Sequence, residues 1–95
     1  MKPKEMLAEL ESAAQSIDVK VSYESIASSM MRGGLCKVKG QYRVIIDKRL
    51  NAEERANTLA ESLARFDFSG LETIAKGARS LLDYYAVRSQ RVAAG

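Results

Sequence analysis

The sequence predicts an α+β fold: a small, mostly antiparallel three-stranded sheet with helices packed on one face, in the order helix, strand, hairpin, helix, helix. Apolar residues recur at helical spacing in an N-terminal segment and again in the C-terminal half. Between these lie short stretches in which apolar and polar residues alternate, as in half-buried strands. A glycine-bearing turn joins two of those stretches into a hairpin. Helices gathered on one face of a small sheet satisfy that order. The 95 residues leave room for one core, so 1–95 reads as a single domain.

The first helix is expected over Pro3 to Ser16, where Met6, Leu7, Leu10, Ala13, Ala14 and Ile17 form one stripe. Pro3 suits the first helical position, because its missing N–H has no partner there in any case. Val19, Val21 and Tyr23 then alternate with Lys20 and Ser22, the period of a strand. Ser25 to Met31 read either as a short helix or as an irregular crossover, ended by Gly33-Gly34. Leu35 to Lys39 and Tyr42 to Asp47 form the hairpin. Gly40-Gln41 is its expected type II′ turn, setting Val38 opposite Arg43, Lys37 opposite Val44 and Cys36 opposite Ile45. Cys36, Val38 and Ile45 then share one face, and Leu35, Val44 and Ile46 the other, with Lys37 and Lys39. Apolar residues on both faces of the last strand place it inside the sheet.

Asn51-Ala52-Glu53-Glu54 is a capping-box start for a helix that buries Ala56, Leu59, Ala60 and Leu63 and gives out near Phe66. Ser69-Gly70-Leu71-Glu72 repeats the signature. The stripe that follows is Leu71, Ile74, Ala75, Ala78, Leu81, Leu82 and Tyr85, which is long enough to outrun so small a sheet. Residues 92–95 read as a frayed tail.

Composition excludes several functions. There is no histidine, hence no ordinary metal ligand or general base of that type. The lone Cys36 has no internal disulfide partner, which fits a reducing, cytoplasmic setting. No apolar run approaches the roughly 20 residues of a membrane span, and no apolar leader is visible. No phosphate loop is present, and no cofactor or metal is expected. The net charge of +3 is uneven: Arg32, Lys37, Lys39, Arg43, Lys48 and Arg49 face only Asp47 between positions 32 and 49.

The hairpin ending in Ile45-Ile46-Asp47, the acidic turn after it, and Thr58-Leu59-Ala60-Glu61-Ser62-Leu63-Ala64 together resemble a known layout. It is that of the small anti-repressor metallopeptidases of the ImmA/IrrE type, a group of zincins. In that family the helix after the hairpin carries H-E-x-x-H, two histidines binding zinc and the glutamate activating water. Over residues 17 to 66 the resemblance aligns Glu61 with the glutamate and sets Ala60 and Ala64 at the histidine positions. It therefore implies a degenerate zincin-like domain with a vestigial site at Ala60, Glu61 and Ala64, because alanine has no donor atom. The other interpretation of the same helix is close packing of Ala60 and Ala64 on the sheet, with Glu61 paired to Arg65 on the wet side. The run from Gly33 to Gly40 also looks like short bacterial proteins of unknown function, which implies no activity.

Cys36 reads as a buried strand residue rather than a nucleophile, since no histidine exists to activate it. Arg32-Gly33-Gly34 reads as a turn, with an anion-binding nest as the other option. Tyr84-Tyr85 and Met30-Met31 read as core or as contact surface. The expected function is a non-enzymatic protein-interaction or structural module, its partner another protein or a second copy in a homodimer. The alternative is a polyanion- or nucleic-acid-binding module using Arg32, Lys37, Lys39, Arg43, Lys48 and Arg49.

Overall fold

Helix α1 spans Pro3–Ser16 with Pro3 in its first turn, as its sequence demands. The computed structural model describes residues 2–25, 33–66, 68 and 74–94, with the backbone alone at 33 and 87–94. At the far end of α1 the Val19 N–H donates to the Ala14 carbonyl (2.9 Å) and the Asp18 N–H to the Gln15 carbonyl (3.1 Å). Asp18 takes the left-handed conformation, φ 59°, that this helix ending requires. The chain is thereby turned straight into β1, Lys20–Glu24.

Strands β2 (Gly33–Val38) and β3 (Gln41–Asp47) complete a mixed, mostly antiparallel sheet of order β1-β3-β2. β3 is central, as its two-faced apolar pattern predicts. It pairs antiparallel with β2 and parallel with β1. Gly33 and Gly34 open β2 instead of ending a turn.

The hairpin register differs from expectation. Leu35 lies opposite Val44, Cys36 opposite Arg43, Lys37 opposite Tyr42 and Val38 opposite Gln41. The turn is therefore Lys39-Gly40, with φ of 52° and 81°. Left-handed backbone at both central residues is type I′, whose twist matches the strands, and glycine carries its second position without steric cost. The side-chain faces survive, because the strands slide past each other by two positions and the alternation has period two. Lys39 leaves the strand for the turn.

On the inner face lie Val21, Tyr23, Leu35, Val44 and Ile46, packed into the core with Leu10, Leu59 and Leu63. Val44, Ile46, Leu10, Leu59 and Leu63 are fully enclosed, each contributing about 1.5–3 kcal/mol by leaving water. Helix α2, Ala52–Leu63, starts at the expected capping box: the Glu54 N–H donates to Asn51 Oδ1 (2.8 Å) and the Asn51 N–H to Glu54 Oε1 (3.0 Å). It presents Ala56, Leu59, Ala60 and Leu63 to the core, as its spacing predicts, and packs on α1, α3, β2 and β3.

Helix α3 spans Lys76–Ala94, starting later than its stripe suggests and continuing into the expected tail. The second capping box falls outside the described residues. Ala78 and Leu82 are buried and Ile74, Leu81 and Tyr85 pack against the same core, so the described part of this stripe has a partner within the chain. That removes the reason for expecting α3 to outrun its support. No helix among the described residues is long and apolar enough to cross a membrane.

Candidate functional site

Because β3 is central, the side chains at 43, 45 and 47 define the face of the sheet opposite the core. The register places Lys20, Arg43 and Cys36 on one rung across it, and Ser22, Ile45 and Gly34 on the next rung of the same face, further from the turn. Val38 extends the apolar strip towards the turn and is 48% exposed. Ile45, Cys36 and Arg43 are half-buried. The strand residues packed against the core all belong to the other face, so no described helix covers this one.

The two ends of this outer face differ in charge. At the turn end Lys20 and Arg43 are direct neighbours, and among the described residues no carboxylate pairs with either. Like charges side by side on adjacent strands destabilise a sheet by a fraction of a kcal/mol, roughly 0.2–1. At the other end Glu24 accepts from the Ser22 hydroxyl (3.0 Å). Asp47 there is wrapped by Arg49, whose Nη2 lies 2.5 Å from Asp47 Oδ2 and whose Nε donates to Oδ1 at 3.0 Å. These hydrogen bonds, together with the Arg49 backbone N–H, pull the Asp47 carboxyl down to about 2, against the opposing effect of desolvation. The Arg49 charge is thus largely spent inside the chain.

The residues expected to form a basic ribbon are dispersed. Lys37 lies on the inner-face side, its ammonium 5.0 Å from the centre of the Tyr42 ring. Lys39 sits in the turn and Arg43 on the outer face. Lys48 and Arg49 follow β3 at its far end, about 20 Å from the turn at the usual strand rise. Arg32 lies outside the described residues, as do Met30 and Met31. Lys20 and Gly34 were missed as members of the surface. Their place depends on β1 pairing parallel to β3, and no local pattern encodes that pairing.

Helix α2 places the three residues of the expected vestigial site in different surroundings. Ala60 is fully enclosed in the core, Ala64 is half-buried at the C-terminal cap of α2, and Glu61 is exposed. No ion pair joins Glu61 to Arg65 among the described residues. Two open grooves flank the helices, one of about 470 Å³ beside Glu11, Asp18 and Lys20 and one of about 350 Å³ between Met6, Ala56 and Leu81. Neither is lined by Glu61 or Cys36. Cys36 is unpaired and half-buried, less enclosed than a core cysteine. No group of three potential metal ligands occurs among the described residues.

Near the first groove the Tyr23 hydroxyl donates a short hydrogen bond to the Glu11 carboxylate, and the Arg55 guanidinium stacks 4.8 Å from the Tyr23 ring centre. Burial first, then the bond to Glu11, raises the Tyr23 pKa. Arg55 is itself held by the Leu50 carbonyl (2.9 Å) and the Lys48 carbonyl (2.6 Å). This network ties α1, β1 and α2 together, and its donors and acceptors are consumed internally. On α3, Tyr84 is 52% exposed while Tyr85 donates to Asn57 Oδ1 (3.2 Å) and packs against the core. Comparison with protein-family models, curated proteins and solved structures returns no match for this chain.

Proposed function

We propose that this chain is a non-enzymatic protein-interaction module and that the face of its sheet left open by the described helices is the contact surface. The observation that carries the proposal is the division of the sheet. Its inner face encloses Val44 and Ile46 completely, while the outer face leaves Val38, Cys36 and Ile45 as an apolar strip under no helix among the described residues. Contiguous apolar surface rimmed by charge is the usual mark of a protein contact. The partner is another protein, with a second copy of the chain as the alternative. The unpaired Cys36 supports a cytoplasmic setting. A degenerate zincin ancestry accounts for Glu61 standing between two alanines and adds no activity.

Polyanion binding has weaker support. The basic residues occupy two ends and two faces of the sheet, and Arg49 is committed to Asp47. The test is quantitative affinity enrichment from native lysate with wild type and Ile45→Asp, both checked for fold by circular dichroism. Co-purifying proteins lost with Ile45→Asp support the proposal. Identical partners for both baits would move the surface elsewhere. Sub-micromolar DNA or RNA binding at physiological salt, abolished by replacing Lys37, Lys39 and Arg43 together, would favour the polyanion function instead.

A further inference from the structure

We infer that the outer face docks an acidic segment of a partner protein, its carboxylates set against Lys20 and Arg43 and its chain seated over Gly34. This rests on the interaction-module proposal above and names the partner's chemistry.

Gly34 points to the seat. Glycine inside a strand weakens it, and it is kept where the backbone needs positive φ or where another group approaches closely. Gly34 has neither reason among the described residues. Its φ is not left-handed, and a Cβ added there would meet nothing within 4 Å. Its Cα partner across the sheet is Ile45, on the uncovered face. The bare backbone therefore forms a notch in the apolar strip, between Ile45 and the half-buried Cys36. An approaching partner backbone would use such a notch.

The rung beside it supplies the charge. Lys20 and Arg43 are held adjacent by β1–β3 pairing, unneutralised among the described residues, while at the opposite end Asp47 is paired with Arg49 and Glu24 accepts from the Ser22 hydroxyl. A carboxylate from outside would relieve the repulsion, and Arg43 can grip it in a bidentate manner. The end-to-end asymmetry also orients the ligand, with its acidic end towards the hairpin turn. A nucleic acid fits less well: the cations border an apolar strip, and no aromatic side chain lies on this face for base stacking.

The experiment is selection from a display library of random peptides on immobilised wild-type protein. Selected peptides are then titrated against wild type, Gly34→Ala and the double variant Lys20→Glu/Arg43→Glu. Peptides rich in Asp and Glu beside apolar residues are expected. Their affinity should fall at least about tenfold in the double variant. Gly34→Ala should weaken them comparably while its urea midpoint stays level or rises, because the added methyl meets none of the described residues of the chain. Selected peptides without acidic bias, or peptides that bind all three proteins equally, would overturn the inference and leave the interaction-module proposal standing. Failure to select any peptide, in a protein that sediments as a monomer, would overturn both. A dimer dissociated by Gly34→Ala would assign the seat to a second copy and refute the acidic partner.

Discussion

Placing histidines at the two positions that the zincin resemblance would give them, Ala60→His with Ala64→His, distinguishes a metal cleft from a packing helix. Ala60 is wholly enclosed in a core that includes Leu59, Leu63 and Ile46. An imidazole there overpacks the site, at about 1–3 kcal/mol. It also buries polar nitrogens with no partner provided, at a further cost of about 1–3 kcal/mol. Against the total stability of roughly 5–15 kcal/mol typical of a domain, the loss is large. Ala64→His alone, at the half-buried cap, should cost within about 0.5 kcal/mol. Urea unfolding followed by circular dichroism reads both variants, and calorimetric titration with zinc reads the metal. The expected result is a strongly destabilised double variant with no stoichiometric zinc site. A double variant as stable as wild type that binds one zinc tightly would show that α2 faces a preserved cleft, and would refute its assignment to the core.

Leu59→Ala should lower stability by about 2–5 kcal/mol in urea unfolding, since Leu59 is fully enclosed; an unchanged midpoint would mean that α2 is turned differently. Lys39→Asn should raise stability by about 0.5–1 kcal/mol, because asparagine tolerates the left-handed backbone of the Lys39-Gly40 turn better than lysine. A loss of stability there would favour a Gly40-Gln41 turn. Asp47 ionises near 2 in the folded chain, against an ordinary value of 3.8. As pH falls, the unfolded chain takes up this proton first, so a stabilisation present above pH 3.8 is lost as pH drops towards about 2. The urea midpoint of Asp47→Asn should vary less across that window than that of wild type, and equal slopes would refute the Arg49 clamp.

What the sequence makes legible is local. The capping box at Asn51 and Glu54, the buried stripe of α2 and the central position of β3 each depend on residues within one turn or one strand, and all appear in the fold. The hairpin shows the limit. Gly40 marks the turn, but whether it stands first or second in the loop is settled by contacts beyond the hairpin. Placing it second makes Gln41 a strand residue whose amide reaches the Asp18 carbonyl at 2.6 Å. It also sets Leu35 beside Val44 over the core. The candidate surface was half legible for the same reason. Arg43 stands out as part of a charge run, whereas Lys20 joins it only through a parallel pairing between strands some twenty residues apart. The charge of Arg49, one of a run of cations in the sequence, is committed to Asp47 in the fold.

The most direct test of the central claim is site-specific photocrosslinking in native lysate, with the photoreactive residue at Val38 or at Tyr84. Both positions are exposed, at 48% and 52%, but only Val38 lies on the outer face of the sheet. A discrete adduct from Val38, suppressed by adding Lys20→Glu/Arg43→Glu and absent from Tyr84, is the predicted result. An adduct from Tyr84 that those charge reversals leave intact, with none from Val38, would contradict the assignment of the uncovered sheet face as the site of interaction.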